Sequence, residues 1–248
     1  MFYAAENMKT EVIFGIHPVY EALRAGRRIF SEIRIAKFSK RLEKIVSYAE
    51  SHNITVKKTQ PPQLRAVTGT DFHQGIGAIV SDYPCADISD MLDSGGDVFL
   101  LLLDNIVDPH NLGALIRTAL CVGIGGVVIP KDRSAQPTPD VSKASAGALE
   151  HMLLARVTNM TRTITELRKK GVWIGGLDRE GRQSLFDARM DGPLALIIGG
   201  EEKGIRPLVK KHCDFLLSIP QQGPLNSLNA SVAGAVVMYE AFRQRNGK

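Results

Sequence analysis

The chain has 248 residues, of which 44% are hydrophobic and 23% charged; these proportions suit a globular protein and exclude general disorder. Its longest apolar run, Val98–Leu103, is far shorter than the roughly 20 residues that cross a bilayer, so no membrane partner is expected. The three cysteines show neither CxxC nor Cys/His spacing, which predicts thiols in a reducing cytoplasm and no metal site.

The net charge of +5 is concentrated in the first third of the chain. Residues 1–83 hold 12 lysines and arginines against eight acidic residues, whereas residues 84–248 hold 19 against 18. No lysine or arginine occurs between Arg65 and Arg117. This distribution indicates a polyanion-binding module at the N-terminus, although an ordinary solvated surface is the alternative.

The first part of the chain, residues 10–83, predicts a small α/β unit. Apolar spacing predicts a helix at Pro18–Ala25, which Gly26 would stop, and an amphipathic helix at Arg41–His52. Proline is favoured at a helix entrance, so Pro61 is expected to open a third helix. The predicted strands are Ile33–Ala36, Ile54–Lys57 and Gly77–Val80.

An acidic segment, residues 84–97, is predicted to connect this unit to a second domain, residues 98–248. It contains Pro84 and ends near Gly95-Gly96, a natural boundary. The second domain alternates strands and helices, which predicts a parallel sheet covered by helices. Val98–Leu103 is continuously apolar, as is typical of a strand buried on both faces.

Two helices of the second domain carry specific expectations. Val141–Leu149 is expected to be one small-residue helix, and the last helix, Ala230–Arg245, is expected to bury Val236, Val237, Met238 and Phe242. The other predicted strands are Gly126–Ile129, Leu153–Arg156, Val172–Leu177, Ala195–Ile198 and Leu216–Ile219, and the other helices are Leu112–Val122, Thr161–Lys170 and Pro207–His212.

Three polar segments follow predicted strands, and ligands of open α/β sheets gather at the carboxyl ends of strands. The first is DNIVDPHNLGALIRTA, residues 104–119. Arg117 lies on its apolar helix and suits a phosphate or ribose contact, with a structural ion pair as the alternative. For Asn111 the alternative to a functional role is capping the helix N-terminus.

The second segment, ALIIGGEEKGIRPLVKKHCD, places Gly199-Gly200 after a strand, where backbone can approach a ligand closely; a plain turn is the alternative. The third, LLSIPQQGPLNSLNASVAGAVVMYEAFRQR, contains Ser227 and Asn229, both potential N-caps. One cap is enough, so this polar run indicates a further role. Residues 123–126, GIGG, are no dinucleotide fingerprint, because they precede a strand.

In this order the three segments resemble the motifs of the SpoU/TrmH family of RNA 2′-O-methyltransferases, in the SPOUT superfamily. DPHNLGALIRTA is similar to motif one, IIGGEEKGI to motif two and SIPQQGPLNSLNASVA to motif three. FGIHPVYEAL and DFHQGIGAIV resemble the substrate-binding domain of one branch. The resemblance implies an α/β fold: a parallel sheet with a C-terminal trefoil knot, preceded by a small α/β RNA-binding domain. It also implies a homodimer, with S-adenosylmethionine bound in the knot.

The resemblance also implies roles for individual residues. Arg117 is expected to contact an RNA phosphate and assist deprotonation of the ribose 2′-hydroxyl. Because an arginine normally stays protonated, the phosphate or a neighbouring group is the alternative proton acceptor. Asn111 would position the ribose or Arg117, and Glu201 would hold the motif-two loop or orient Arg117. Ser227 and Asn229 would complete the catalytic set. Cofactor-binding positions are Gly199, Ile219 and Leu228, and the N-terminal residues expected to bind RNA are Arg24, Arg27, Arg28, Lys37, Lys40, Arg41 and Lys44.

The branch that the resemblance implies methylates a guanosine of 23S rRNA, either as naked RNA or in a ribosome-assembly particle. The first alternative is a family member that acts on transfer RNA. A second is an RNA-binding relative without activity, which the intact polar set disfavours. A third is a small-molecule α/β enzyme with a nucleotide cofactor, which the basic N-terminal module and the absent phosphate loop disfavour. A fourth is a related enzyme that gives antibiotic resistance by methylating the ribosome.

Overall fold

The computed structural model describes residues 9–92, 98–224 and 227–247, and the chain divides into two compact units. One unit contains the chain up to Pro84 together with Pro137–His151; the other contains Cys85–Gln136 and the chain from Met152. The boundaries at residues 83 and 98 stay a prediction, and Gly95-Gly96 lies outside the described residues. No helix in the described ranges is long and apolar enough to cross a membrane.

The elements alternate along most of the chain. The strands are β1 (Thr10–Phe14), β2 (Phe30–Ile35), β3 (Val56–Lys58), β4 (Ile76–Ser81), β5 (Phe99–Asp104), β6 (Gly126–Pro130), β7 (Leu154–Val157), β8 (Trp173–Leu177), β9 (Gln183–Ser184), β10 (Leu194–Gly199) and β11 (Phe215–Ser218). The helices are α1 (Ile16–Ala25), α2 (Lys40–Ser51), α3 (Pro61–Thr68), α4 (Ile88–Leu92), α5 (Pro109–Cys121), α6 (Pro139–Ala144), α7 (Ala148–His151), α8 (Met160–Lys169), α9 (Pro207–Lys210) and α10 (Ala230–Asn246). Strands β1 and β9 were not predicted from the sequence.

The first unit is built on a four-stranded sheet in the order β1-β4-β2-β3. The predicted helix stop is confirmed: Gly26 follows α1 in the left-handed conformation, with φ 63°. Pro61 opens α3 as expected. One face of α2 buries Leu42 and Ile45 against the sheet, which gives this unit its own hydrophobic core.

The segment Val141–Leu149 was expected to be one helix, and this was wrong. Instead α6 and α7 are separated by a turn in which Ala146 and Gly147 have φ of 54° and 87°. A Cβ atom on Gly147 would lie 2.7 Å from Glu21 Cβ and 3.0 Å from the carbonyl oxygen of His17. The turn therefore lets the backbone pass close to α1, which a continuous helix would not allow.

The second unit contains a seven-stranded sheet in the order β7-β6-β5-β10-β8-β11-β9, and all its strand pairs are parallel. All residues of β5 are buried, as the continuous apolar run predicted. In the register of β5 and β10, Asp104 pairs with Gly199, so the two strands end side by side. The predicted α/β fold with a parallel sheet is confirmed, and the trefoil knot stays a prediction.

Candidate active site

The carboxyl ends of β5 and β10 position the loops that form the site. Asp104, the last residue of β5, is fully buried and was not singled out from the sequence. It accepts hydrogen bonds from the backbone N–H of Arg206 and from Arg206 Nε, both at 2.8 Å. Through these bonds Asp104 fixes the position of Arg206, at the end of the loop that contains Glu201.

Helix α5 begins earlier than expected, so Asn111 lies inside the first turn and does not cap the helix. Asp108 is the N-cap and accepts a hydrogen bond from the backbone N–H of His110 at 2.9 Å, with Pro109 in the first turn. The alternative in which Asn111 caps the helix is therefore wrong. The Asn111 side chain makes its contacts with other elements.

Asn111, Glu201 and Asn229 form a hydrogen-bonded group, which we call the polar cluster. Asn111 Nδ2 donates to Glu201 Oε1 at 2.9 Å, and Asn229 Nδ2 donates to Asn111 Oδ1 at 3.0 Å. Asn229 Nδ2 also donates to Glu201 Oε1. The three residues come from motifs one, two and three, so the structure brings together three of the five residues expected to be catalytic.

Asn229 serves the helix and the cluster at the same time. Its Oδ1 accepts hydrogen bonds from the backbone N–H groups of Ser231 and Val232, at 2.9 and 3.3 Å, and so caps α10. The opposite end of the amide supplies the two donors of the polar cluster. Because Oδ1 accepts from the backbone of α10, Nδ2 is directed towards Asn111 and Glu201.

Close packing of α10 places Asn229 beside Asn111. A Cβ atom on Gly234 would lie 2.3 Å from Leu115 Cδ2 and 2.7 Å from Ile198 Cδ1. Only glycine therefore lets α10 approach α5 and β10 this closely.

The expected core residues of α10 are buried to different degrees. Val237 and Met238 are buried as expected, and Val236 is half-buried. Phe242 is 36% exposed, so its expected core position was wrong.

The glycines of motif two are required by the protein backbone. A Cβ atom on Gly199 would lie 2.0 Å from the carbonyl carbon of Gly204, and one on Gly200 would lie 2.3 Å from the carbonyl oxygen of Asn105. Gly200 also pairs with Gly204 in an isolated bridge. These glycines therefore let the loop pack against its own backbone, while both also line the first cavity, and the expected cofactor contact of Gly199 stays a prediction.

Two cavities adjoin at this loop, and Glu201 lines both. The first has a volume of about 240 Å³ and is lined by the expected cofactor residues Gly199, Ile219 and Leu228, together with Ser227. The second, of about 290 Å³, is lined by Asn111, Arg133 and the motif-two loop. Arg133 was missed from the sequence, and no spacing signal distinguished it from other surface arginines.

Comparison with known proteins identifies the family. Residues 98–239 match the SpoU rRNA methylase family, and residues 12–85 match the family described as RNA 2′-O ribose methyltransferase substrate binding. The chain belongs to the SpoU rRNA methylase family. Members of this family transfer a methyl group from S-adenosylmethionine to a ribose 2′-hydroxyl in RNA, and this chain therefore has that activity.

Individual SpoU relatives match nearly the whole chain. It is 40% identical over 242 residues to the 23S rRNA (guanosine-2′-O-)-methyltransferase RlmB of Escherichia coli strain K12, covering 96% of this chain and 100% of the relative. It is 40% identical over 246 residues to the putative TrmH family tRNA/rRNA methyltransferase YacO of Bacillus subtilis, covering 97% and 98%. The AdoMet complex of the SpoU methyltransferase AviRb from Streptomyces viridochromogenes matches the fold with a TM-score of 0.83 at 24% identity, covering 96% and 92%.

The first cavity suits the methyl donor of SpoU methylases by its chemistry. S-adenosylmethionine combines an apolar adenine face with a positively charged sulfonium and ammonium. Ile198, Ile219 and Leu228 give the cavity apolar contacts. Its charged lining residues have both signs: Asp178, Glu180, Glu201, Glu202, Arg179, Lys203 and Lys210. Apolar surface beside groups of both charges fits this donor, which also carries an anionic carboxylate.

Arg117, the fourth residue of the expected SpoU catalytic set, lies apart from the polar cluster. Arg117 follows Asn111 by six positions on α5. This spacing corresponds to about 9 Å along the helix axis and roughly 120° around it. Arg117 is exposed, lines neither cavity, and makes no hydrogen bond or ion pair within the described residues. The alternative of a structural ion pair is therefore wrong for this part of the chain.

The expected RNA-binding residues fall into two groups. Lys37, Lys40, Arg41 and Lys44 are exposed at and before the start of α2, and Arg24 is exposed beside Glu21. Arg27 is half-buried and donates hydrogen bonds to the Tyr83 hydroxyl and the Pro84 carbonyl oxygen. The remaining residue, Arg28, is buried.

The expectation that Arg28 contacts RNA is corrected by its burial. Its side chain is 0% exposed and forms two hydrogen bonds with the Glu150 carboxylate, at 2.5 and 3.1 Å. It also forms an ion pair with Glu11. Burial disfavours the guanidinium charge, but Glu150 and Glu11 outweigh it and raise the pKa of Arg28. The residue therefore links the two stretches of the first unit and cannot reach RNA.

The three cysteines form no disulfide within the described residues. Burial raises the pKa of Cys213 to about 12, so this thiol stays protonated at neutral pH. Within residues 9–92, 98–224 and 227–247, no group of three or more histidine, cysteine or acidic side chains is arranged to hold a metal ion.

Proposed function

We propose that this SpoU methylase modifies the ribose 2′-hydroxyl of a guanosine in 23S rRNA. The observation that carries the proposal is the match to RlmB, which covers all of that relative and includes the N-terminal substrate-binding region. The relative YacO is a putative tRNA/rRNA methyltransferase, which keeps transfer RNA as the second candidate. The substrate is either naked 23S rRNA or an assembly particle, and the cytoplasm is the compartment in which we place the enzyme.

The second cavity is the proposed site of the target nucleotide. Asn111 uses one amide hydrogen within the polar cluster, and Glu201 accepts there only through Oε1. Among the described residues, the second amide hydrogen of Asn111 and Glu201 Oε2 are not used. We assign them to the ribose: Glu201 Oε2 accepts a hydrogen bond from the 2′-hydroxyl and so orients its lone pairs, while Asn111 donates to a sugar oxygen.

Arg133 is assigned to the phosphate of the same nucleotide. It lines the second cavity with Asn111, is exposed, and has no partner within the described residues. A guanidinium is permanently charged and binds phosphate oxygens with two donors, which would hold the ribose against the polar cluster.

S-adenosylmethionine, held in the first cavity, supplies an electrophilic methyl group on a sulfonium. Glu201 lines both cavities. Ser227 and Leu228 contribute to the wall of the first cavity. The chain's own residues therefore hold the two reactants on either side of one loop, and the loop geometry is set by Gly199, Gly200 and Asp104.

Homodimerisation is the third part of the proposal. Val232, Ala235, Val236, Tyr239 and Phe242 form an apolar strip along α10, at 3- and 4-residue spacing, and none of them is fully buried. Phe242 and Leu120 line one surface depression, and Leu120 is one turn from Arg117 on α5. A second copy seated on this strip would cover the apolar surface and bring Arg117 towards the partner's polar cluster.

The homodimer and the remote Arg117 can be tested together. We expect the Arg117→Ala chain and the Glu201→Gln chain each to keep at most about a tenth of wild-type activity when expressed alone. Co-expression should raise activity to about one quarter, because about half of the dimers would be mixed and each mixed dimer would hold one intact site. Recovery would place Arg117 and Glu201 of one functional site on different chains. A monomeric wild type in analytical ultracentrifugation would contradict the homodimer. Mixed dimers that form but regain no activity would contradict the placement of Arg117 and Glu201 on different chains.

The C-terminal trefoil knot completes the proposed architecture. A Cβ atom on Gly181 would lie 2.5 Å from the carbonyl carbon of Leu217, and the Asp178 N–H donates to the Leu217 carbonyl oxygen at 2.8 Å. These contacts continue the parallel pairing of β8 with β11, in which Leu217 lies opposite Leu177, so the proposed knot rests on membership of the SpoU family.

The RNA substrate can be identified in cells. Deletion of the gene should remove one 2′-O-methylguanosine from 23S rRNA, measured by mass spectrometry of RNase fragments, and leave transfer RNA unchanged. Restoration by the wild-type chain is the control. Loss of the nucleoside from transfer RNA alone would keep the chemistry and reject 23S rRNA as the substrate.

A further inference from the structure

Two exposed phenylalanines lie at one edge of the first unit's sheet. Phe72 is 80% exposed and Phe38 is 57% exposed. Strands β2 and β4 are antiparallel, and Ile35 at the end of β2 pairs with Ile76 at the start of β4. The loop that follows β2 and the loop that precedes β4 therefore emerge at the same edge, and these loops contain Phe38 and Phe72.

Backbone contacts hold these two loops against each other. The Ala36 N–H donates to the Gly75 carbonyl oxygen at 2.9 Å. A Cβ atom on Gly75, where φ is 82°, would lie 3.4 Å from the Lys37 carbonyl oxygen. The loops are thus fixed where Lys37 meets Gly75, and each phenylalanine is one to three residues from that point.

The charges around the two rings are mostly unpaired lysines and arginines. Lys37, Lys40, Arg41 and Lys58 are exposed and make no ion pair within the described residues. The acidic residue of the Phe72 loop, Asp71, forms an ion pair with Arg65 at 3.4 Å. A ligand at this edge therefore meets exposed aromatic faces within a positive field.

We propose that Phe38 and Phe72 form a stacking platform for unpaired bases of the RNA substrate. RNA is recognised mostly at loops and bulges, whose bases can stack on aromatic side chains while basic residues contact the backbone. A double-stranded RNA would offer phosphates to the lysines but no free base faces to the rings. The inference rests on the proposed function, and it specifies that the first unit selects single-stranded elements.

The test uses the full-length chain with Phe38→Ala, Phe72→Ala and the double substitution. Phe186→Ala is the matched control, because Phe186 is 58% exposed and lies in the other unit. Each substitution should weaken binding to a 23S rRNA stem-loop by about 5- to 100-fold, since base stacking on one aromatic ring is worth that factor. Binding to a fully paired duplex of equal length should be unchanged.

Salt dependence separates stacking from charge. Loss of a ring should leave the slope of log Kd against log salt unchanged, whereas Lys40→Ala should reduce that slope by about one. A direct optical readout is available because Trp173 is the single tryptophan of the chain. Phe72→Trp in a Trp173→Phe background should show quenched emission when the stem-loop binds.

Wild-type affinity in the double variant, or unchanged indole emission from the Phe72→Trp variant with bound RNA, would overturn the platform. Equal weakening for stem-loop and duplex would overturn it as well, because that pattern indicates misfolding or a general surface effect. Methyl transfer by the wild type is measured in parallel. If the wild type modifies 23S rRNA while the double variant binds it normally, only this inference fails; if the wild type does not modify 23S rRNA, the proposed function fails.

Discussion

Asn111 and Glu201, which are 90 positions apart in the chain, are joined by a hydrogen bond of 2.9 Å in which the amide donates to the carboxylate. The bond links the start of α5 to the loop after β10, and Asn229 at the start of α10 closes the group. Three separate motifs therefore meet at one carboxylate.

Replacement of Glu201 by glutamine removes the charge while keeping an oxygen in position. The amide oxygen can still accept from Asn111 and Asn229, so the melting temperature should change little. The second oxygen becomes a donor and can no longer accept from the ribose hydroxyl. We expect kcat to fall about 10- to 100-fold, the range for a hydrogen bond to a charged group. Glu166→Gln, at an exposed ion pair, is the control, and unchanged kcat in Glu201→Gln would remove the carboxylate from the mechanism.

Asn229 should show separable effects on stability and activity. Asn229→Ala loses the cap of α10, which costs about 0.5–2 kcal/mol and a few degrees of melting temperature. Asn229→Asp retains the capping oxygen, but it loses the amide donor to Glu201 and places a second carboxylate against it. It should therefore lose activity at neutral pH, and the repulsion should offset part of the stability that the cap contributes.

Asn159 gives a matched comparison for the cap. It caps α8 by accepting from the Arg162 N–H at 3.1 Å, remote in sequence from the polar cluster. Asn159→Ala should therefore lower the melting temperature by a similar amount with kcat unchanged. If Asn229→Asp were fully active, capping would be the whole role of Asn229.

Arg133 should affect substrate binding more than turnover. In Arg133→Ala, KM for RNA should rise about tenfold with kcat nearly unchanged, because one phosphate contact is lost from ground state and transition state alike. The slope of log affinity against log salt should fall by about one. Lys131→Ala, an exposed neighbour that does not line either cavity, is the control. Equal effects of the two substitutions would indicate general attraction to RNA.

Replacement of Arg28 should lower the stability of the first unit. Removing it leaves Glu150, which is 1% exposed, without its buried partner, so Arg28→Ala should lose about 3–5 kcal/mol of the free energy of unfolding of the first unit in urea. Arg24→Ala breaks an exposed ion pair with Glu21 and should lose less than about 1 kcal/mol. A stable Arg28→Ala protein with weakened RNA binding would restore the RNA contact that burial argues against.

Local pattern predicted much of the fold. The apolar run at Val98–Leu103 gave a buried strand with bounds one residue away from those of β5, and Gly26 ended α1 as expected. The two-residue β9 is too short to show periodicity. Strand β1 was also missed, although its five residues make it as long as β6 and β8, which were predicted. The break at Gly147 depends on its distance to α1, which no local pattern contains.

The candidate site was predicted in part, and the resemblance supplied what spacing could not. Asn111, Glu201 and Asn229 meet as the three motifs implied, and Gly199, Ile219 and Leu228 line one cavity. Their catalytic and cofactor-binding roles stay predictions. Arg28 and Lys40 look alike in sequence, since both are cations in a basic region. Only tertiary packing against Glu150 separates a buried ion pair from an exposed charge.

The most direct measurement of the central claim is methyl transfer from labelled S-adenosylmethionine to 23S rRNA and to transfer RNA, both purified from cells that lack the gene. The account predicts that label enters 23S rRNA and survives alkali in a dinucleotide, since a methylated 2′-oxygen cannot attack the neighbouring phosphate. Label in alkali-labile nucleotides, or in transfer RNA and not in 23S rRNA, would contradict it.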